Sequence, residues 1–293
     1  MATTAKTIVA TGASSGLGFE LVKQLLDQTE PYKFILGARD MKTAQATFDG
    51  LEYDSNKHSV TIFPLELSNL RTVKSFSQQT LDKLGQDKID YLLLNAAIGK
   101  NSDGPGPHGS KWSEPYLVNH LSQHYLVHLL REKLEASQSR IVVVSSGAVC
   151  LVKDPKFLEH DLTGGTKTER SEYGATKFVQ LLGAHWWRRQ LQGKCHVVVV
   201  SPGMVPGTGI MRGNDRMKLP MYHPDAKSIP TGARNIYRAF VRDDFPEDPE
   251  EIFLACWGEW WPKSIYGLTL DKALQDKWSP SKEEIEKEEG LAA

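Results

Sequence analysis

The stretch Thr11-Gly12-Ala13-Ser14-Ser15-Gly16-Leu17-Gly18 decides the fold. It follows directly on the apolar run Thr7-Ile8-Val9-Ala10 and opens a helical pattern from Gly16 to Gln28. A strand that empties into a glycine-rich turn and then a helix is the setting in which such glycines carry meaning. They permit a tight turn and let the backbone approach a pyrophosphate. The helix behind them offers free N–H groups and a partial positive charge to phosphate.

Outward from that turn the alternation repeats. Short β-rich runs fall at Thr7–Thr11, Lys33–Gly37, Ser59–Leu65, Tyr91–Asn95, Arg140–Ser145, His196–Ser201 and Glu251–Ala255. Helix-length amphipathic stretches occupy Gly16–Gln28, Asp40–Phe48, Leu70–Leu84, Glu114–Leu134, Glu172–Leu191 and Thr231–Val241. Such alternation predicts βαβ units and a parallel sheet. Runs such as Ile141-Val142-Val143-Val144, apolar throughout, suit strands covered on both faces. The expectation is an α/β fold, a doubly wound, mostly parallel seven-stranded sheet with helices on both faces. With no internal repeat or low-complexity linker, residues 1–293 read as one domain. The charged segment 279–293 carries a capping-box pattern, Ser281 to Glu284, and predicts a solvated terminal helix.

Composition narrows the function. The 293 residues are 40% hydrophobic and 24% charged, enough apolar material for an ordinary globular core. Thirty-five basic residues against 36 acidic ones, a net charge of −1, suggest neither nucleic acid nor an anionic membrane as partner. The apolar run before Gly12 is too short for a signal peptide. No stretch approaches the ~18–20 apolar residues of a membrane span. Cys150, Cys195 and Cys256 are odd in number and far apart. Reduced thiols in a cytoplasmic protein without a membrane anchor are expected.

The end of the second strand selects among dinucleotides. An NAD site usually places a carboxylate there for the adenosine ribose. This chain has Gly37-Ala38-Arg39. Arg39 can bind a 2′-phosphate through charge-assisted, bidentate contacts, so NADP(H) is expected.

Farther along comes Tyr173-Gly174-Ala175-Thr176-Lys177, a YxxxK spacing within an expected helix. One helical turn puts Tyr173 and Lys177 on the same face. A phenol titrates near ~10, and a neighbouring ammonium favours its ionised form. Val144-Ser145-Ser146-Gly147 ends a strand, where parallel sheets place their ligands. Asn119 lies in the preceding long helix, and Leu94-Asn95-Ala96-Ala97 ends the strand before that. Ser201-Pro202-Gly203-Met204-Val205 closes the strand after the tyrosine helix.

In this order, TGxxxGxG, NAA, Asn, Ser-Ser, YxxxK and PG resemble the short-chain dehydrogenase/reductase family, over roughly residues 6–270. The stretches LLLNAA, VNHLSQHYL and PGMVPGTGI are most similar to its retinol-dehydrogenase and protochlorophyllide-reductase branch. The resemblance implies a Rossmann fold and NADP(H)-dependent hydride transfer. It implies that Tyr173 exchanges a proton with the substrate oxygen, and that Ser146 hydrogen-bonds that oxygen. Lys177 would lower the tyrosine pKa and bind the nicotinamide ribose. Asn119 would hold a water connecting Lys177 to solvent.

The same resemblance gives Gly12, Ser14, Ser15, Gly16, Leu17, Gly18 and Arg39 to the adenosine and phosphate half of the cofactor. Glu66 and Leu67 take the adenine side. Asn95, Ala96, Pro202, Gly203 and Val205 line the remainder, with Tyr173 and Lys177, and Thr208 lies near the nicotinamide amide. Three departures stand out. Glu66 replaces the adenine-side aspartate of many relatives, and Ala97 replaces the last glycine of NNAG. Phe178-Val179-Gln180 lacks the cysteine of the protochlorophyllide-reductase branch, which argues against a light-driven reaction.

His120, His124 and His128 recur along one helix face, a spacing that can bind zinc. No cysteine or carboxylate shares the stripe, so no metal is expected, and the stripe reads as packed or subunit-facing. The resemblance implies a homodimer or homotetramer through the helices carrying His124 and Trp186. Trp186, Trp187, Trp257, Trp260 and Trp261 come without a basic patch and read as core or interface aromatics. Residues 204–230, with Met204, Met211, Met217, Met221, Tyr222 and four prolines, read as a lid with an adaptable apolar surface. An insertion around Lys153–Thr168 lies near the active-site mouth. The expected substrate is a bulky, largely apolar carbonyl or alcohol. Reduction of an activated C=C bond and a non-catalytic dinucleotide sensor stay open beside it.

Overall fold

Residues of the central strands alternate between two cores, one on each face of a sheet. Val142 and Val144 enter one core and Ile141 and Val143 the other, and Ile8 and Ala10 are set against Val9 in the same way. That period of two, with both faces covered, is why runs apolar at every position remain strands. The structure, a computed structural model, describes residues 4–102, 104–163, 171–211 and 223–291. The strands are β1 (Lys6–Thr11), β2 (Tyr32–Ala38), β3 (Ser59–Pro64), β4 (Tyr91–Leu94), β5 (Arg140–Val144), β6 (His196–Val200) and β7 (Phe253–Leu254). All pair in parallel, in the order β3-β2-β1-β4-β5-β6-β7. This is the doubly wound, seven-stranded arrangement expected. The winding reverses between β1 and β4, which is where such sheets open a crevice.

The helices are α1 (Gly16–Leu26), α2 (Met41–Asp49), α3 (Leu70–Leu84), α4 (Glu114–Tyr116), α5 (Ser122–Ser137), α6 (Leu158–Leu162), α7 (Glu172–Gln190), α8 (Ile229–Val241), α9 (Lys272–Lys277) and α10 (Lys282–Glu288). Helices α1, α2 and α8 cover one face of the sheet, and α3, α5 and α7 the other.

Three elements differ from the sequence expectation. Strand β7 is shorter than Glu251–Ala255, because the chain turns at Ala255, whose N–H donates to the Glu259 carbonyl at 2.8 Å. The expected helix Glu114–Leu134 is interrupted by a wider π turn at Leu117–Leu121. Nearby side chains serve the carbonyls of that turn: Ser122 Oγ donates to Leu117 O at 2.7 Å, and Gln123 Nε2 to Val118 O at 3.0 Å.

The third difference is the C-terminal segment, expected to be solvated. Its capping box is present, but residues 271–291 are docked against α5 and α7. Trp278, Ile285 and Leu291 are buried, and Tyr125 Oη donates to Glu286 Oε1 at 2.7 Å. The few apolar positions among the charges, Trp278 after α9, Ile285 in α10 and Leu291 beyond it, are the ones that are buried.

This segment covers the histidine stripe. His120 Nε2 lies 3.0 Å from Trp278 O, and His124 Nε2 lies 3.0 Å from Pro280 O. His128 Nε2 is 3.1 Å from the same Pro280 carbonyl, and Trp187 Nε1 donates to His124 Nδ1 at 2.9 Å. Of the two expectations for the stripe, packed is the one observed. The face carrying His124, expected to meet a second copy, is occupied by this chain's own residues.

Candidate active site

The turn after β1 is shaped by what a side chain would hit. Gly12 and Gly16 have positive φ angles of 64° and 58°. A Cβ on Gly12 would lie 2.6 Å from Ala96 Cα, and one on Gly18 would lie 2.4 Å from Gly12 O. Both contacts are too close for any residue but glycine. Asn95 Nδ2 donates to Gly12 O at 2.7 Å, and Thr11 Oγ1 accepts from the N–H groups of Asn95 and Ala96 at 3.1 and 3.2 Å. The ends of β1 and β4 are thus tied together. Ser15 precedes α1 without a side-chain capping bond, so the first-turn N–H groups have no side-chain acceptor.

Above this turn lies a cleft of about 380 Å³. Gly12, Ser14, Ser15, Gly16 and Leu17 line one part of it, Arg39, Glu66 and Leu67 another, and Asn95, Ala96 and Thr208 a third. The bare backbone and close approach fit a dinucleotide. Gly18, Pro202, Gly203 and Val205 stand behind the wall. Pro202 O accepts from Asn235 Nδ2 at 3.0 Å, and Val205 packs against Gly232. The exposed Arg39 side chain is held loosely, with Nε 3.8 Å from Glu66 Oε2.

Sequence reading passed over the far rim of this cleft. Lys100 and Glu114 pair there at 2.5 Å, and Gly99 N donates to Ile210 O at 2.6 Å. Nothing in the local pattern distinguishes these loop residues. Only the fold brings the loop after β4 against the segment after β6.

The other expected residues meet at the end of β5. Tyr173 and Lys177 stand one turn apart on α7, and the Ser146 side chain is near enough to the Tyr173 phenol to pull its titration downward. Ser146 Oγ also accepts from Ala148 N at 3.1 Å. Burial pushes the Tyr173 phenol up to about 12, against a smaller downward pull from Ser146. Burial pushes the Lys177 ammonium down to about 7. Its Nζ lies 5.8 Å from the centre of the tyrosine ring. Desolvation therefore dominates the protein's own pair, and the ammonium alone does not bring the phenol into the neutral range.

Lys177 Nζ donates to Val144 O at 2.9 Å and to Gln180 Oε1 at 3.1 Å. Asn119 sits in the π turn, fully buried. Its Oδ1 accepts from Ile98 N at 2.8 Å, and its Nδ2 donates to Ile98 O at 2.9 Å and to Thr176 Oγ1 at 3.0 Å. The side chain thus ties the loop after β4 to α7. Its main-chain carbonyl accepts from Gln180 Nε2 at 2.9 Å.

Toward the expected substrate side, the Trp261 ring comes close to Gly147 and Cys256 to Gly203. Leu151 and Trp257 are exposed there. Residues 212–222 of the expected lid, including Met217, Met221 and Tyr222, lie outside the described residues, as do residues 164–168 of the expected insertion.

The sequence pattern of the short chain dehydrogenase family matches residues 6–157. A short-chain dehydrogenase/reductase of Pestalotiopsis microspora is 59% identical over 288 residues, spanning 97% of this chain and 99% of its own. Retinol dehydrogenase 12 of Mus musculus is 26% identical over 264 residues, spanning 87% of this chain and 79% of its own. The NADPH-bound carbonyl reductase from chicken fatty liver superposes with a TM-score of 0.66 at 18% identity, over 88% of this chain and 94% of that one. Salutaridine reductase from Papaver somniferum gives 0.61 at 19% identity, over 85% and 98%. At these identities the two solved structures show the shared fold.

Proposed function

The chain belongs to the short-chain dehydrogenase/reductase family, in its retinol-dehydrogenase-like branch, and we propose that it is an NADP(H)-dependent oxidoreductase acting on the carbonyl or secondary alcohol of a bulky, largely apolar substrate. The observation that carries this reading is the meeting of Ser146, Tyr173 and the buried Lys177 at the end of β5, with the lysine Nζ 5.8 Å from the centre of the tyrosine ring. A tyrosine hydroxyl beside a lysine, at the carboxyl end of a parallel strand and next to a glycine-walled cleft, supports a proton donor there.

A bound nicotinamide dinucleotide supplies or accepts the hydride. Ser146 holds the substrate oxygen and stabilises the charge that develops on it. Tyr173 gives that oxygen a proton in reduction and takes one in oxidation. Lys177 binds the nicotinamide ribose. In its charged form Lys177 would stabilise the Tyr173 phenolate. Asn119 fixes the loop after β4 through its two bonds to Ile98. Arg39, whose nearest carboxylate is 3.8 Å away, takes the 2′-phosphate. The NADPH carried by the chicken carbonyl reductase supports that choice.

The exposed Trp257 and Leu151 support an apolar substrate. Residues 204–230 act as its lid within a single dinucleotide-binding domain. The free thiols of Cys150, Cys195 and Cys256 support a cytoplasmic location, and among the described residues no helix is long and apolar enough to cross a membrane. A homo-oligomer would form through a face other than the one closed by residues 271–291.

Oxidation of NADPH against apolar ketones, quinones and enones, with product analysis, tests the reading. Alcohol products are expected. Saturated ketones from enones, with ketones inert, would replace it by C=C reduction. Tight NADPH binding with no turnover of any acceptor would leave a sensor.

A further inference from the structure

We infer that Gln180 is a positioning residue for the catalytic lysine, a side-chain amide that bridges Lys177 and the main-chain carbonyl of Asn119. The inference rests on the reading of Tyr173 and Lys177 as the proton-handling pair. Residues 173, 177 and 180 share one face of α7. Gln180 is 5% exposed. Its Oε1 accepts from Lys177 Nζ at 3.1 Å, and its Nε2 donates to Asn119 O at 2.9 Å. One end of an amide accepts and the other donates, so these two partners fix its orientation.

The bridge continues beyond Asn119. Gln123 Nε2 also donates to the Asn119 carbonyl, at 3.2 Å, and to Ala96 O at 2.9 Å. Thr11 Oγ1 donates to Gln123 Oε1 at 3.2 Å. A line of amides therefore runs from the lysine to the strand ends that floor the cleft. The π turn turns the Asn119 carbonyl toward both glutamines.

Lys177 has few other supports. Two of its three donor directions end on neutral oxygens, Val144 O and Gln180 Oε1. The third is left for the phenol and the cofactor. Its titratable neighbour on its own helix is Tyr173, with the ring centre 5.8 Å away, and His120 and His124 line a small cavity with Gln180. Burial holds both histidines in the neutral form. The adjoining strand residues Leu94, Ile141, Val144 and Val197 carry no titratable group. The Gln180 dipole is thus one of two groups that hold the cation in place.

Two substitutions separate positioning from packing. Gln180→Glu keeps the shape and sets an anion against the ammonium; Gln180→Met keeps the length and removes both polar ends. Lys177 is followed by NMR titration of labelled lysine in the cofactor-free protein, and turnover is followed as a pH–rate profile. Gln180→Glu is expected to raise the lysine titration by about one pH unit or more and to move the tyrosine limb of the profile upward, because the anion cancels the field at the phenol. Gln180→Met is expected to lower the lysine titration and reduce kcat about tenfold, with the substrate KM little changed.

Parent-like titrations and profiles in both variants would overturn the inference. If Gln180→Met does not fold, Gln180→Glu decides alone. An inactive parent, or a Tyr173→Phe variant as active as the parent, would sink the functional reading instead. The lysine titration still judges Gln180 in that case.

Discussion

The dinucleotide cleft and the proton-handling end lie on neighbouring strands and are made of opposite materials. The cleft is backbone: Gly12 and Gly16 leave N–H groups and space, and the Arg39 charge at its edge stands in solvent. The proton end is side chains, Ser146 and Tyr173 beside the buried, hydrogen-bonded run Lys177, Gln180 and Asn119. Demands on the first are steric, and a methyl group in the wrong place is enough to close it. Demands on the second are electrostatic, because burial opposes both the phenolate and the ammonium. A change there can keep every contact of shape and still abolish the chemistry.

Tyr173→Phe is the sharpest test of this contrast. It keeps the ring and its packing, so NADPH affinity by fluorescence titration should hold, while turnover falls by about 10²–10⁴-fold. Activity within a factor of a few of the parent, with chemistry rate-limiting, would place the proton donor elsewhere. The opposite pattern is expected at Gly12→Val. The new Cβ meets Ala96 at 2.6 Å in a left-handed backbone, so NADPH binding should weaken by roughly a hundredfold or more and thermal stability should fall. Unchanged binding would remove the glycine turn from the cofactor site.

A smaller effect is expected at the solvent edge. Arg39→Asp should shift the NADPH-to-NADH ratio of kcat/KM by roughly ten- to a hundredfold toward NADH, the value of a charge-assisted contact. A constant ratio would put the 2′-phosphate on another residue.

A further effect is a slope. The Lys177 ammonium titrates near 10.5 when unfolded, and burial lowers it to about 7 in the folded protein. Between these values the unfolded chain binds more protons, so stability should rise with pH across that window. Unfolding of the cofactor-free protein at a series of pH values should show this rise, and Lys177→Met should flatten it. An identical slope in the variant would mean that the lysine stays charged in place.

The two regions were not equally readable from sequence. Glycines between a strand and a helix, and Tyr173 one turn before Lys177, are local signals, and their positions survive in the structure. Gln180 and Gln123 carry none, since a polar residue in an apolar helix announces neither its partner nor its face. Their meaning depends on a π turn that no local pattern marks, and on the strand order that sets α7 beside it. The segment 279–293 failed for another reason. Its charges outnumber its apolar residues, yet Ile285 and Leu291 are buried, as is Trp278 just before it. A count of charges hides such positions.

That segment also orders events on the ribosome. Residues 271–291 follow all seven strands in the chain, so the sheet and α7 leave the exit tunnel before their cover does. Until it arrives, three imidazoles, Trp112 and Tyr116 on the α5 side lack the carbonyls of Trp278 and Pro280 and the Trp278 ring that close over them. A nascent chain halted after β7 would present a sticky aromatic flank to chaperones or to its neighbours on a polysome, and the last helical turns erase it.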